Sequence, residues 1–463
     1  MTPVDVVVVG AGCAGLSAAS ALADAGAQVV VAEARPVLGG RTFATRDQAS
    51  GEWVDNGQHV LFGCYHDTRT FLRRIGADNL VSIQDGLRVA MADRPGRLSE
   101  LRCPPLASPW NLLAGVLGWS AVSWRDRLSA LGMARALGNS EAPPAGQTVR
   151  QWLIAHGQAT ALCELLWEPL AVAALNQPID LASAAPFAEV IRRLLGPGPD
   201  DAALILPARS LSHVFVDPAV RFVEGRGGSV RAGAAARITF ADGRANGIEI
   251  KGERIAAGAV IAAVPWHALD FTCGGDAPPG LQATIARASA MRHSPIVTAN
   301  LWFDRPVLEL PFVGLPGRTF QWAFDRCQLT PGESTCVSLV CSGADRVADL
   351  SNEAIVAGAH SDLAAALPGV RRVRLLRGAA IRERRATFSL AAGEPLRPAT
   401  GTAVPGFFLA GDWIDTGLPA TIESAVISGH RAARAALVYL ERAGSVTAGQ
   451  RHLLSRDPLA ASR

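Results

Sequence analysis

Gly10, Gly12 and Gly15 stand between a run of valines, Val4 to Val9, and a stretch with helical spacing, Leu16 to Ala25; a second apolar run, Val29 to Ala32, follows and ends in Glu33. Residues of these types in this order bind a dinucleotide by its diphosphate, because strand, tight turn, helix and second strand form one unit. Gly10 makes the turn, Gly12 lets the backbone approach the pyrophosphate, and Gly15 lets the helix pack closely on the strand. Cys13 and Ala14, inside the glycine triplet, are assigned to the cofactor with it, and the phosphates would sit on the helix N-terminus, where unpaired amides and the helix dipole favour negative charge. Glu33, followed by Ala34, can accept hydrogen bonds from the adenosine ribose hydroxyls and would repel a ribose phosphate, which favours FAD or NAD over NADP.

Gly39, Gly40 and Arg41 come next in EARPVLGGRT, and Phe407 to Asp412 reads FFLAGD near the other end. Both strings resemble the glycine-doublet flavoprotein superfamily of amine oxidases and carotenoid desaturases. The resemblance implies FAD, with Arg41 near the pyrophosphate and isoalloxazine, and with Gly411 and Asp412 at the ribityl and pyrophosphate region. After Asp412, Pro419 suits a helix's first turn and the segment up to Leu440 has helical periodicity. The amides around Ala420, Thr421 and Ile422 would then point at the pyrimidine end of the flavin, where a positive helix end stabilises charge that develops on reduction.

In Trp53 to Tyr65, WVDNGQHVLFGCY, the resemblance narrows to the hydroxysqualene dehydroxylase family, and LWEPLAVAALNQP, ARSLSHVFVDPAVRF, HSPIVTANLWFDRPV and GLPATIESAVISG extend it over nearly the whole chain. It implies reductive removal of the hydroxyl of hydroxysqualene, giving squalene for hopanoid synthesis. Hydroxide is a poor leaving group, so that chemistry needs a proton donor beside the departing oxygen as well as a hydride. The candidate catalytic residues are His59, as general acid, and Gln58, to orient the hydroxyl; the alternatives are a histidine bonded to backbone carbonyls and a turn amide. Asn56 and Gly57 are assigned to the cofactor. Asp55 is expected to fix the loop through an Asx turn with them, and Tyr65 and His66 are weaker donors nearby. Rival readings are an isoprenoid desaturase of reversed electron flow and a non-catalytic prenyl-binding escort.

The elements that must position these groups give an α/β fold: a Rossmann-like FAD-binding domain with a discontinuous substrate-binding α+β domain, amine oxidase/phytoene desaturase-like. Strand signals from Val230 to Val264, with turns at Asp242–Gly243 and Lys251–Gly252, resemble the superfamily's returning segment, which touches adenine near Ala236. The expected division is 1–75, 215–270 and 385–445 for FAD, 76–214 and 271–384 for substrate, and a disordered tail at 446–463. A chain of 463 residues, 49% hydrophobic, has room for two such cores. The uncharged stretch Cys103 to Trp124, with Trp110, Trp119 and Trp124, is interrupted by prolines and reads as cavity mouth or membrane contact, or as ordinary helix packing, rather than a span. Met91, Trp302, Phe303 and Trp322 are candidate tunnel lining or plain core. Arg371, Arg372, Arg374 and Arg377 read as a solvated strand face.

The formal net charge of +3 is too small for a nucleic-acid footprint. Eight cysteines without a C-x-x-C pair suggest reduced thiols and no metal site. With no secretory signal evident, the expected location is the cytoplasm, peripheral on the inner face of the membrane. No second glycine fingerprint occurs, so an external electron donor is required.

Overall fold

The computed structural model describes residues 4–444 apart from 105, 139–141, 199, 276 and 331–333, so the expected tail lies outside the described residues. Branched apolar residues fill β1 (Val4–Val9) and β2 (Val29–Ala32), which pair in parallel and are joined by α1 (Cys13–Asp24). β3 (Ser229–Arg231) extends the sheet beyond β2. On the other side of β1 lies β6 (Glu253–Ala262), the last strand of a meander with β4 (Ala236–Ala241) and β5 (Arg244–Ile250). The meander turns where the sequence requires: Asp242, Gly243, Lys251 and Gly252 all have positive φ, the geometry of tight hairpin turns. β7 (Phe407–Leu409) adds in parallel to β6 and delivers Gly411 and Asp412 to the carboxyl end of the sheet.

The second layer is a seven-stranded sheet in the order Leu375–Phe388, His293–Phe303, Cys336–Ser342, Trp322–Asp325, Phe312–Gly314, Arg88–Ala92, Leu98–Arg102. Alternation along a strand gives it two faces. Val297, Ala299, Leu301, Val337 and Leu339 pack with Ile355, Ala359 and Leu363 of the helix Asn352–Ala366. Val89, Met91, Trp322, Phe324, Val340 and Ser342 face a large cavity. Helices form the opposite wall: α2 (Trp110–Gly118), α4 (Ala130–Gly138), α5 (Glu168–Leu175) and α6 (Ala184–Leu194), while the short α3 (Trp124–Leu128) joins α2 to α4 outside the cavity. Helical spacing turns Leu112, Leu113 and Val116 of α2, and Met133, Ala134 and Leu137 of α4, towards the same space.

α7 (Ile422–Arg442) packs lengthwise on α1, close enough that a side chain at Gly429 would run into Ser17 Oγ and the carbonyl of Ala14. Its N-cap is Thr421, whose hydroxyl accepts from Ser424 N at 3.1 Å. Pro419 therefore precedes the helix instead of occupying its first turn. Among the described residues no helix is long and apolar enough to cross a membrane. The tryptophans of the uncharged stretch divide: Trp119 is core, bonded through Nε1 to Ser99 Oγ, whereas Trp110 and Trp124 are 63% and 65% exposed. Of the basic run, Arg371 and Arg372 lie in a short 3-10 turn and Arg374 in a loop; only Arg377 is on a strand, where it pairs with Asp47 and covers the Trp302 ring.

Candidate active site

The floor of the site follows from glycine geometry. Gly10 adopts φ +106°, and a side chain at Gly15 would collide with the Gly10 carbonyl, so strand and helix meet backbone to backbone. The glycine doublet has a similar origin. Gly39 bridges to Gly12 and its amide donates to Ala11 O at 2.8 Å, while a Cβ on Gly40 would lie 3.1 Å from Gly12 Cα. Two loops cross there with no room for a side chain on the doublet. Glu33, 9% exposed, closes the end of β2 by accepting from Ala11 N at 2.8 Å and Arg35 N at 2.9 Å.

Arg41 and Asp412, far apart in sequence, form an ion pair with Nη2 and Oδ1 at 2.7 Å. Burial would lower the Arg41 pKa, but the buried Asp412 beside it raises it. Arg41 also donates to Ala386 O, and Asn56 Nδ2 donates to Glu383 Oε2 at 3.3 Å. The arginine loop, the DNGQH loop and the last strand of the second sheet are thereby fastened together. Gly411 N donates to Ser428 Oγ at 2.8 Å, which fixes the loop against α7.

One cavity of about 1390 Å³ runs through this arrangement, larger than the roughly 300–1,000 Å³ usual for one small ligand. Gly10, Gly12, Cys13, Ala14, Glu33, Ala34, Gly39, Gly40, Arg41, Asn56, Gly57, Ala236, Gly411, Asp412, Ala420, Thr421 and Ile422 all line it, as do Gln58 and His59. Gly15 is not on its wall. A methyl group on Gly12 would meet only Gly40 Cα, at 3.8 Å, and otherwise stand in the cavity. A bare backbone cradle, a carboxylate on the cavity wall at the end of β2 and the α1 N-terminus fit an adenine dinucleotide. The cradle would hold the diphosphate, Glu33 the adenosine ribose, Asp412 and Arg41 the flavin side, and the N-terminus of α7 the pyrimidine edge.

His59 Nδ1 lies 3.0 Å from Gly57 O. A carbonyl only accepts, so Nδ1 carries the proton and the neutral ring keeps a lone pair on Nε2. Burial lowers the His59 pKa, and Arg41 adds to the effect. Asp55 makes no Asx turn: its Oδ1 accepts from Leu211 N at 2.8 Å, and burial raises its pKa to about 6. Tyr65 lines the cavity, while His66 points to solvent beside Asp201. Met91 and Trp322 line the cavity; Trp302 and Phe303 are core. Sequence reading missed Glu383 and, apart from the Cys103 to Trp124 stretch that contains α2, the helical walls. Only the four-charge run Arg382 to Arg385, unusual in a strand, hinted at the first.

A model of the flavin containing amine oxidoreductase family matches residues 13–437. A hydroxysqualene dehydroxylase of Sinorhizobium fredii is 31% identical over 94% of this chain and 99% of its own. The chain belongs to the flavin-containing amine oxidoreductases, in the hydroxysqualene dehydroxylase family. It is an FAD-dependent oxidoreductase. A 15-cis-phytoene desaturase from an Oncidium hybrid cultivar is 25% identical over 96% of this chain and 80% of its own. The crystal structure of an oxidoreductase from Methanosarcina mazei superposes with a TM-score of 0.73 at 19% identity, over 92% of this chain and 99% of that one, which gives the fold alone. Among the described residues no group of three or more His, Cys, Asp or Glu is arranged to hold a metal.

Proposed function

We propose that this flavoenzyme reductively dehydroxylates hydroxysqualene to squalene within hopanoid biosynthesis. The observation that carries the reading is the shape and lining of the cavity. Beyond the nucleotide cradle it continues between Val89, Met91, Trp322 and Phe324 on the sheet and Leu113, Val116, Met133, Leu137 and Leu170 on the helices. A triterpene alcohol is hydrocarbon but for one hydroxyl, and its affinity must come from apolar burial at about 25 cal/mol per Å². Gln58 and His59 supply the polar edge where the cradle meets this apolar part.

When bound, FAD supplies a hydride in its reduced form. The substrate carbon gains that hydride as its C–O bond breaks, and the oxygen takes one proton and leaves as water. Gln58 orients the hydroxyl, and His59 passes it the proton from Nε2 after first gaining one, since the neutral ring has none there to give. Asp412, Arg41 and the N-terminus of α7 hold the cofactor's flavin end against this edge.

The same apolar cavity would suit an isoprenoid desaturase, and the phytoene desaturase relatives favour that as the second reading. An amine oxidase fits less well: Lys251 is exposed in a hairpin and Tyr439 packs on Phe408, which leaves Tyr65 alone of the two tyrosines at the cavity. A non-catalytic escort would have no use for the flavin cradle. The deciding experiment is anaerobic incubation of photoreduced holoenzyme with hydroxysqualene. Squalene formation matched by flavin reoxidation is the expected result. Inertness there, with squalene or phytoene reducing the oxidised enzyme instead, would establish the desaturase.

Leu106, Trp110, Leu117, Trp124, Leu128 and Leu131, in or just before α2, α3 and α4, are all exposed, with Arg125 beside Trp124. We infer a cytoplasmic protein whose α2–α4 face rests on the membrane, from which an oily substrate enters, with electrons supplied by an external donor.

A further inference from the structure

Loss of the hydroxyl as water consumes one proton per turnover, and His59 in its neutral form has none to give at Nε2. Next to the large cavity lies a second, small one of about 10 Å³, room for about one water. Asp55, Gln58, His59, Arg209 and Thr330 are among the residues around it. Gln58, His59, Val60 and Phe324 line both cavities and so form the partition between them. Asp55 is 6% exposed, and among the described residues only Leu211 N donates to its carboxyl.

We propose that Asp55 supplies the proton that His59 delivers, through a single water held in the small cavity. The proposal rests on the dehydroxylation reading above. The carboxyl of Asp55 gives its proton to the water, which passes one to Nε2 of His59; the imidazolium then turns that N–H from the small cavity to the large one and gives the proton to the oxygen as the C–O bond breaks. Asp55 regains a proton from solvent on the side of Arg209, whose side chain is exposed. No electrons move in the relay, so the hydride remains the only reductant. Asp55 acts through His59 and is a positioning residue for the proton.

The electrostatics agree with this assignment. Burial raises the carboxyl into the range where it exchanges near neutral pH, opposed by Arg326 and His213, with Arg209 across the small cavity. His59 faces Arg41, which with burial keeps the ring neutral until a donor reaches it.

Asp55→Asn tests the relay, because the amide oxygen can still accept from Leu211 N while the proton is gone. Photoreduced holoenzyme and hydroxysqualene are followed from pH 5 to 9, with flavin content and melting temperature measured on the same samples. The expected variant keeps its flavin, its fold and the wild-type half-saturation, but turns over about 10²-fold more slowly at pH 7. It also loses the limb of the pH profile near 6, and Asp55→Glu recovers part of the rate. A variant with wild-type rate and profile would overturn the relay and leave the carboxyl a fastener for Leu211. Should the Asn variant fail to fold, infrared titration of wild-type protein labelled with ¹³C-aspartate serves instead: one carboxyl must titrate well above the others, and its absence overturns the proposal. Wild-type enzyme that makes no squalene would remove the dehydroxylation reading and the relay together.

Discussion

Asp55 shows how one residue can carry a structural and a chemical duty with different pH signatures. Its carboxyl is raised from the ordinary 3.8 to about 6 by burial. A carboxyl raised in the folded state contributes stability that is fully present below the unfolded pKa and lost as pH rises through the folded one. Wild-type protein therefore loses stability from this site between about pH 4 and pH 6, on the order of 2–3 kcal/mol. Asp55→Asn has no such dependence. Its melting temperature relative to wild type should climb from pH 4 to pH 7, as followed by scanning calorimetry, and a flat difference would refute the burial argument. Arg41 and Asp412 behave differently, because their charges compensate within the site and neither is left alone.

Among the elements, the crossing of α1 and α7 bears most on the site. α1 and α7 both open on the cavity, at the ends proposed for the diphosphate and the flavin, so under that reading their separation sets the distance between the two halves of the cofactor site. Gly429 permits the close approach: a Cβ there meets the Ala14 carbonyl, which is backbone and cannot rotate away. Gly429→Ala gains about 1 kcal/mol of helix propensity, yet the clash should outweigh it, with a net loss of roughly 1–2 kcal/mol. The measurement is denaturant unfolding together with the flavin retained on gel filtration. Equal stability with full flavin would show that the helices can separate freely. The hairpins of β4–β6 need no such long-range contact. Their turns were legible at Asp242–Gly243 and Lys251–Gly252 because the positive φ is a local demand.

At the scale of the molecule, the proposed docking face lies on the outside of helices α2 to α4, two of which turn their inner faces to the cavity. Replacing Trp110 and Trp124 together by serine should lower binding to anionic phospholipid vesicles by at least about 10-fold, since each buried side chain is worth on the order of 1.5 kcal/mol. Both are exposed, so flavin content and melting temperature should hold. Unchanged cosedimentation with vesicles would dispose of the docking face. Trp119, in the same uncharged stretch, is excluded from the test because it is core. Composition alone could not separate the three tryptophans, whose burial depends on which face of α2 and its flanks meets the sheet.

The nucleotide half was readable from the chain alone because its determinants are local: glycine spacing, valine runs, a carboxylate closing the second strand and tight turns. A strand, turn and helix of this kind form the same cradle wherever they occur. The other half depends on contacts that cross the chain. Leu211 reaches Asp55 over 156 residues, Glu383 meets Asn56 over 327, and the cavity walls come from one face each of a sheet and several helices. Periodicity reveals that such faces are apolar. Only packing decides which of them close on solid core and which enclose space for a substrate.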